Sequence, residues 1–232
     1  MTIFALDSAG KTAGVCVFTD GKIVYESYLA TGLTHSETLL ALCDAAFKAA
    51  KLEISDVALF AACAGPGSFT GLRIGLAALK GLAFAHDTPC ASVSTLEALA
   101  HSVPFDCTLG TALDARRGEV YCAAFRIKNG EVTRFLDDTA MSAANFAEKL
   151  CEFGENPICM GDGAHLVCQK SENVRLMPAE YRFGRANGIC RAAEKMYKDG
   201  LCTSADELIP DYHRLSQAER ERAEKMKNEV CK

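Results

Sequence analysis

The feature that most constrains this chain is a pattern of strand ends and turns that occurs twice. In each copy an Ala-Leu-Asp tripeptide ends a predicted strand, a tight hairpin turn follows, and a glycine-bounded turn comes last. These landmarks lie at residues 5–7, 20–21 and 65–67 in the first copy and at residues 112–114, 129–130 and 161–163 in the second. The repeat predicts an α/β protein with two similar lobes, at residues 1–104 and 105–215, and a charged tail at residues 216–232.

Each copy is predicted to contain a three-strand meander, a helix and a further strand. In the first copy we expect strands at residues 2–6, 12–18, 22–29, 57–63 and 90–93, and helices at residues 36–52, at residues 70–86 and from Ser94 onward. In the second copy we expect strands at residues 108–113, 120–127, 131–136 and 158–160, and helices at residues 143–153 and 186–198. Capping boxes at Thr34 and Ser94, each followed three residues later by Glu, predict two of the helix starts.

Composition excludes several classes of protein. With 49% hydrophobic and 24% charged residues the chain is typical of globular proteins. A net charge of -5 argues against a protein that binds nucleic acid without a partner, because neutralising phosphates needs clustered Lys and Arg. No stretch is apolar for long enough to span a membrane, and the apolar run at residues 3–6 is too short for a signal peptide. The twelve cysteines come no closer than eight residues, so we expect reduced thiols and a cytoplasmic protein.

The most distinctive segment runs from Gly65 to Gly75 and reads GPGSFTGLRIG. It joins a buried strand to the start of a helix, where free N–H groups favour an anion. It is not a Walker A loop, because no Lys-Ser or Lys-Thr follows the last loop glycine, and it misses the dinucleotide fingerprint by one residue. Ser68 is not flanked by the Gly-x-Ser-x-Gly pattern of a nucleophilic serine. A tight turn that brings a helix close to a sheet is favoured, and a phosphate site remains the alternative.

The predicted helix after this turn is apolar on most sides. Before His86 its only Lys or Arg residues are Arg73 and Lys80. A helix of this kind must be covered on most sides, and one lobe covers only one broad face. The small face comprises Gly71, Gly75, Ala78, Leu82 and Ala85, and the bulky face comprises Leu72, Leu76, Leu79 and Ala83. We predict a partner surface here, shared with the helix around Leu39 and Phe47; a fully intramolecular sandwich is the alternative.

The first hairpin is a candidate for phosphate binding, since its small residues expose N–H groups. The candidate cofactor-binding residues are Asp7, Ser8, Gly10 and Thr12. The corresponding loop at residues 114–119 carries two arginines, which fit poorly with a second phosphate loop. The five histidines include no pair at helical spacing, so we expect no metal site and disfavour metal-dependent hydrolysis.

Several segments resemble the TsaB (YeaZ) family. The segment GPGSFTGLRIG closely matches the signature of that family. Further matches cover nearly the whole chain: His35-Ser36-Glu37, residues 92–98 (SVSTLEA), residues 113–121 (LDARRGEVY), and a Pro-x-Tyr-x-Arg element at residues 210–214 followed by Gln217-Ala218-Glu219. The chain is therefore identified as a member of this family.

The resemblance implies an actin-like ATPase (ribonuclease H-like) duplicated fold. It implies a non-catalytic subunit in the transfer of a threonylcarbamoyl group to the adenosine next to the anticodon of tRNAs reading codons that start with A. The subunit would pair with the catalytic subunit TsaD and the ATPase TsaE, or form a homodimer where the partner is absent. It would contact tRNA only through the complex, and ATP would act in the assembled complex.

The resemblance also implies a subunit interface on helices of the first lobe. The candidate interface residues are Leu39, Cys43, Phe47, Leu72, Arg73, Leu76, Leu79 and Lys80. The hairpin sequence Leu6-Asp7-Ser8-Ala9 departs from the Asp-Thr-Ser that is common in the family, which weakens a nucleotide site there. The alternative function is a small-molecule kinase or ATPase of the actin-like class that uses Asp7 and Asp114. A peptidase is disfavoured because the metal-binding histidine pair is missing.

Overall fold

The computed structural model describes residues 1–212, and the predicted charged tail and His213 lie outside the described residues. The strands are β1 (Thr2–Asp7), β2 (Ala13–Thr19), β3 (Lys22–Leu29), β4 (Leu59–Gly65), β5 (Cys90–Ser94), β6 (Cys107–Arg116), β7 (Glu119–Lys128), β8 (Glu131–Ser142), β9 (Ile158–Met160) and β10 (Arg175–Leu176). The helices are α1 (His35–Ala50), α2 (Phe69–Phe84), α3 (Thr95–His101), α4 (Ala143–Glu152), α5 (Ala164–Cys168) and α6 (Ala186–Lys198).

The two sheets have the same strand order, which confirms the predicted duplication. One is ordered β3-β2-β1-β4-β5, and the other, read from β8, is ordered β8-β7-β6-β9-β10. In each sheet the first three strands form an antiparallel meander, and the fourth and fifth strands join it in parallel. This is an α/β fold with two similar lobes.

The hairpin turns that linked the two copies in the sequence also match in backbone geometry. Asp20 and Gly21 have φ angles of 50° and 81°, and Asn129 and Gly130 have φ angles of 52° and 80°. Two successive residues with positive φ form the tight turn whose twist matches that of the flanking strands. The local sequence therefore determines these two turns.

The edge strand β8 is longer than predicted. It continues to Ser142, whereas the sequence predicted an end at residue 136. Polar residues at Asp137, Asp138 and Thr139 ended the predicted strand, yet the pairing with β7 continues past two irregularities near Ala124. An edge strand tolerates polar residues because one side faces solvent.

Helix α6 packs against the first sheet, although it follows the second sheet in the chain. Ile189, Cys190 and Ala193 are buried in one cluster with Ala5 and Val93. The predicted boundaries at residues 104 and 215 remain predictions, and α6 crosses back from the second predicted lobe to the first. The physical reason is that α1 and α2 cover only one face of the first sheet, while the apolar face of α6 covers the other.

A C-terminal segment at residues 203–212, here called the strap, lies along α2 on the α1 side of the first sheet. Thr203 bridges to Cys90 at the edge strand, and the Asp211 amide donates to the Ala64 carbonyl at 2.7 Å. Leu208 is only 1% exposed and packs in the cluster that contains Leu79. The strap completes the core beside α2.

An ionic network joins the two lobes. Arg134 on β8 donates to Glu97 on α3 at 2.8 Å and also bonds Asp138. Asp138 accepts a hydrogen bond from Ser94, which caps α3. The His101 ring, 3.7 Å from Glu97, and the Arg134 guanidinium together lower the pKa of Glu97 to about 2. The ionised network therefore holds the lobes together at neutral pH.

We expect Glu97→Gln to lower the free energy of unfolding at pH 7 by about 1–2 kcal/mol, a value that allows for partial solvent screening of Glu97. Because the folded-state pKa of Glu97 lies below its ordinary value of 4.5, its contribution is present above that pH and is lost as pH falls toward 2. Urea unfolding between pH 3 and pH 7 measures both effects. Glu148→Gln, at an exposed position on α4, is the control. Equal loss of stability in the two variants would contradict this account.

Candidate functional site

The segment at residues 65–75, here called the glycine motif, packs α2 closely onto the first hairpin. A Cβ atom at Gly71 would lie 2.1 Å from the Ser8 carbonyl oxygen, and one at Gly75 would lie 2.2 Å from the Ser8 hydroxyl oxygen. A Cβ atom at Gly67 would lie 2.5 Å from the Ala9 carbonyl oxygen. Only glycine permits such an approach. The geometry agrees with the tight turn that the sequence favoured over a phosphate site.

The hairpin loop uses its own polar groups to hold this contact. The Ser8 hydroxyl donates to the Gly71 carbonyl at 2.8 Å, and the Ala9 carbonyl accepts from the Ser68 amide at 2.7 Å. His35 bonds the Gly10 carbonyl at 3.0 Å. Two of the candidate cofactor-binding residues, Ser8 and Gly10, therefore bind the start of α2 and of α1.

The second lobe repeats this arrangement. A Cβ atom at Gly161 would lie 2.1 Å from the Ala112 carbonyl oxygen, which also accepts from the Gly163 amide at 3.0 Å. Asp162 accepts from the Asp114 amide at 2.9 Å. The glycine-bounded turn closes onto the end of the first strand in the second copy and onto the loop directly after that strand in the first copy.

Asp7 lies buried at the cleft between the lobes. Its carboxylate accepts from the Ala9 amide at 3.0 Å, and the whole residue is 6% exposed. Among residues 1–212 no basic side chain forms an ion pair with it, and burial raises its pKa. Lys11 and Arg185 line the cleft but pair with other carboxylates, Lys11 with Asp162 at 4.0 Å and Arg185 with Glu26 at 3.8 Å.

The cleft around Asp7 is nearly closed. It is bounded by the hairpin, α3, the turn at Gly161 and the segment around Gly184, and it encloses about 20 Å³. That volume is sufficient for one water molecule. Thr12, another candidate cofactor-binding residue, is 4% exposed at this cleft. A wider groove of about 660 Å³, which Lys11 and Thr12 also line, lies beside this cleft.

The candidate interface residues divide into two groups, and the first group is buried. Leu39, Cys43, Leu72, Leu76 and Leu79 are at most 3% exposed, in the core clusters of the first sheet. Phe47 is partly buried and stacks on Phe4 with ring centroids 4.6 Å apart. The prediction that these side chains contact a partner needs correction. The bulky face of α2 packs on its own sheet, because the glycines at 71 and 75 turn that side of the helix inward.

Arg73 and Lys80 form the second group and are directed toward the strap. The Arg73 Nε donates to the Tyr212 hydroxyl at 2.8 Å, and the Lys80 ammonium donates to the Asp206 carbonyl at 3.2 Å. Both residues remain accessible to solvent. They stay candidates for a partner surface, and each also has a partner in its own chain.

A different face of the same helices is exposed and apolar. Leu33, Leu40 and Phe84 are 59%, 63% and 74% exposed. Ala77 and Gly81 are also exposed, and no atom would lie within 4 Å of a Cβ at position 81. The groove of about 660 Å³ lies at the start of both helices, where Leu33 and Ile74 line it, and it extends to the first hairpin. We call this surface the α1–α2 face and define it by Leu33, Leu40, Ile74, Ala77, Gly81 and Phe84.

The described residues offer no other obvious chemistry. No group of three His, Cys, Asp or Glu side chains among residues 1–212 is arranged to hold a metal ion. Across the same residues, no helix combines the length and the apolarity that crossing a bilayer requires. The cleft and the α1–α2 face are the features that bear on function.

Two lobes with one repeated sheet order, joined at a cleft with an aspartate near the end of each first strand, define the actin-like ATPase class of fold. YeaZ from Pseudomonas aeruginosa has the same fold, with a TM-score of 0.76 at 23% identity over 91% of this chain and 99% of that chain. The TsaB protein of Bacillus subtilis is 30% identical over 94% of this chain and 96% of its own length. This chain belongs to the TsaB (YeaZ) family.

Further comparisons agree with this assignment. The TsaB protein of Escherichia coli is 26% identical over 94% of this chain and 96% of its own length. Both bacterial relatives are named tRNA threonylcarbamoyladenosine biosynthesis proteins. A family model described as TsaD, tRNA N6-adenosine threonylcarbamoyltransferase, matches residues 30–220. The chain therefore also resembles the transferase family.

Sequence reasoning missed the strap and the exposed position of Ala77 and Gly81. The Pro-x-Tyr-x-Arg element gave a signal for the strap, but nothing local places it beside α2. Periodicity gave two faces for α2 without indicating which one meets the sheet. The close glycine contacts at Ser8 decide that question.

We expect Asp7→Asn to raise the free energy of unfolding at pH 7 by about 1–3 kcal/mol, because it removes a buried charge and keeps an oxygen that accepts from Ala9. Since burial raises the folded-state pKa of Asp7 above 3.8, its stabilising contribution is full below that pH and is lost as pH rises through the folded-state pKa. The variant should lack this part of the pH dependence in urea unfolding between pH 4 and pH 8.

Asp199→Asn, at an exposed position, is the matched control and should leave stability unchanged. A less stable Asp7→Asn protein at pH 7 would contradict the account. Tight Mg-ATP binding by the isolated chain that Asp7→Asn abolishes would instead support the kinase alternative.

Proposed function

We propose that this protein is a non-catalytic subunit in tRNA threonylcarbamoyladenosine biosynthesis. It pairs with a TsaD-type catalytic subunit through the α1–α2 face and acts in a cytoplasmic complex with a TsaE-type ATPase. The complex transfers the threonylcarbamoyl group to the adenosine next to the anticodon of tRNAs reading codons that start with A. ATP acts in the assembled complex, and tRNA is contacted only through it.

The exposed α1–α2 face is the observation that carries this proposal. Two neighbouring helices expose large apolar side chains beside small ones, and Ala77 and Gly81 leave room for another helix to approach closely. Exposed apolar patches of this kind mark protein–protein contacts. A solvent-facing Phe84 at 74% exposure is costly unless a partner covers it.

The resemblance of this chain to the TsaD family indicates what covers the face. Because the TsaD family model matches residues 30–220, a TsaD-type subunit is expected to have an equivalent pair of helices. Two such pairs can pack face to face as a four-helix arrangement. A second copy of this chain has the same helices, so a homodimer is the competing assembly.

The closed cleft supports a non-catalytic role. The hairpin that would surround a phosphate in an actin-like ATPase is bonded to the starts of α1 and α2. The Asp7 carboxylate is buried and accepts a hydrogen bond from the Ala9 amide, whereas a metal-nucleotide would need it accessible. The phosphate chemistry is therefore assigned to the partners.

The proposal is tested by a charge on the α1–α2 face. We expect Ala77→Glu to weaken binding to a TsaD-family subunit by at least tenfold, because an unpaired carboxylate would be buried at the centre of the interface. Calorimetric titration measures affinity, and threonylcarbamoyladenosine formation in the reconstituted complex should fall in parallel. The melting temperature should change little, since Ala77 is exposed.

Asn145→Glu, at an exposed position on α4 in the second lobe, is the control and should bind like the unmodified chain. An Ala77→Glu protein with unchanged affinity would argue against this face. Binding only to a second copy of the chain, with no TsaD-family subunit bound, would favour the homodimer.

A further inference from the structure

Two family motifs that are far apart in the sequence meet at the start of α2. Tyr212 of the Pro-x-Tyr-x-Arg element stacks on Phe69 of the glycine motif with ring centroids 4.6 Å apart. The Tyr212 hydroxyl accepts a hydrogen bond from the Arg73 Nε at 2.8 Å. The Arg73 guanidinium also lies over the Phe69 ring, 3.9 Å from its centroid. Three residues from two motifs thus form one cluster.

The position of Tyr212 does not depend on Arg73, because the strap fixes it separately. The Asp211 amide donates to the Ala64 carbonyl at 2.7 Å, and a Cβ atom at Gly65 would lie 2.2 Å from the Asp211 carbonyl oxygen. Leu208 anchors the strap in the core at 1% exposure. The tyrosine ring is therefore held against α2 by its own backbone and by the stack on Phe69.

Arg73 in turn lies on the exposed side of α2. It precedes Ala77 by four positions and Gly81 by eight, which places all three on one stripe of the helix. Its bond to Tyr212 uses Nε only. Within residues 1–212 the two terminal nitrogens of the guanidinium have no hydrogen-bond partner. Those two nitrogens form the fork that binds a carboxylate with two parallel hydrogen bonds.

We propose that Tyr212 is a positioning residue that orients Arg73 at the edge of the α1–α2 face, where the guanidinium binds a carboxylate of the TsaD-type partner. The inference rests on the proposed function and adds the chemistry of one contact. The Tyr212 hydroxyl fixes the rotation of the guanidinium, and the Phe69 ring fixes its plane. A free arginine side chain would lose rotamer freedom on binding, whereas this one is already ordered.

The test is a double-mutant cycle in the full chain, with affinity for a TsaD-family subunit as the readout. Tyr212→Phe removes the hydroxyl and keeps the stack, so we expect affinity to fall by about threefold to tenfold. Arg73→Lys keeps the charge and loses the fork, and should lower affinity at least as much. Because Tyr212 acts through Arg73, Tyr212→Phe should cause no further loss in the Arg73→Lys background.

Melting temperature separates positioning from folding. Tyr212→Phe should melt within about a degree of the unmodified chain, because one exposed hydrogen bond contributes little to stability. Tyr197→Phe on α6, also partly exposed, is the control and should leave affinity unchanged.

The outcomes distinguish the inference from the proposed function. Unchanged affinity in Tyr212→Phe, or an equal loss in both backgrounds, would overturn the role of Tyr212 while the subunit pairing stands. Absence of binding by the unmodified chain would overturn the pairing and this inference together.

Discussion

The close contact between the glycine motif and the first hairpin is the constraint on which the rest of the structure depends. Gly67, Gly71 and Gly75 bring α2 against Ser8 and Ala9 at distances that exclude any side chain. This contact decides which side of α2 faces the sheet. The bulky leucines are consequently buried, and the stripe with Ala77 and Gly81 faces outward.

The same contact engages the first hairpin, where the sequence predicted a candidate phosphate site. Ser8 and Gly10 bind the helix starts, and Asp7 lies in a cleft with room for about one water molecule. The network around Arg134 joins the lobes. The two joined lobes thus support one pair of helices, α1 and α2, whose outer face is exposed.

Much of the fold could be predicted from the sequence because its signals are local. The Asp20-Gly21 and Asn129-Gly130 turns require positive φ, and most strands and helices begin within about two residues of their predicted positions. The return of α6 to the first sheet and the path of the strap could not be predicted, because only long-range packing determines them. The interface on α1 and α2 stays a prediction, and most of the residues predicted for it are buried in their own lobe. Periodicity identifies the faces of a helix but not which one a sheet covers.

Hydrogen–deuterium exchange of the chain, alone and with a TsaD-family subunit, tests the central claim most directly. The account predicts slower exchange in the outward turns of α1 and α2, residues 35–50 and 69–84, with little change around the cleft at residues 161–163. Slower exchange confined to the cleft, with α1 and α2 unaffected, would contradict it.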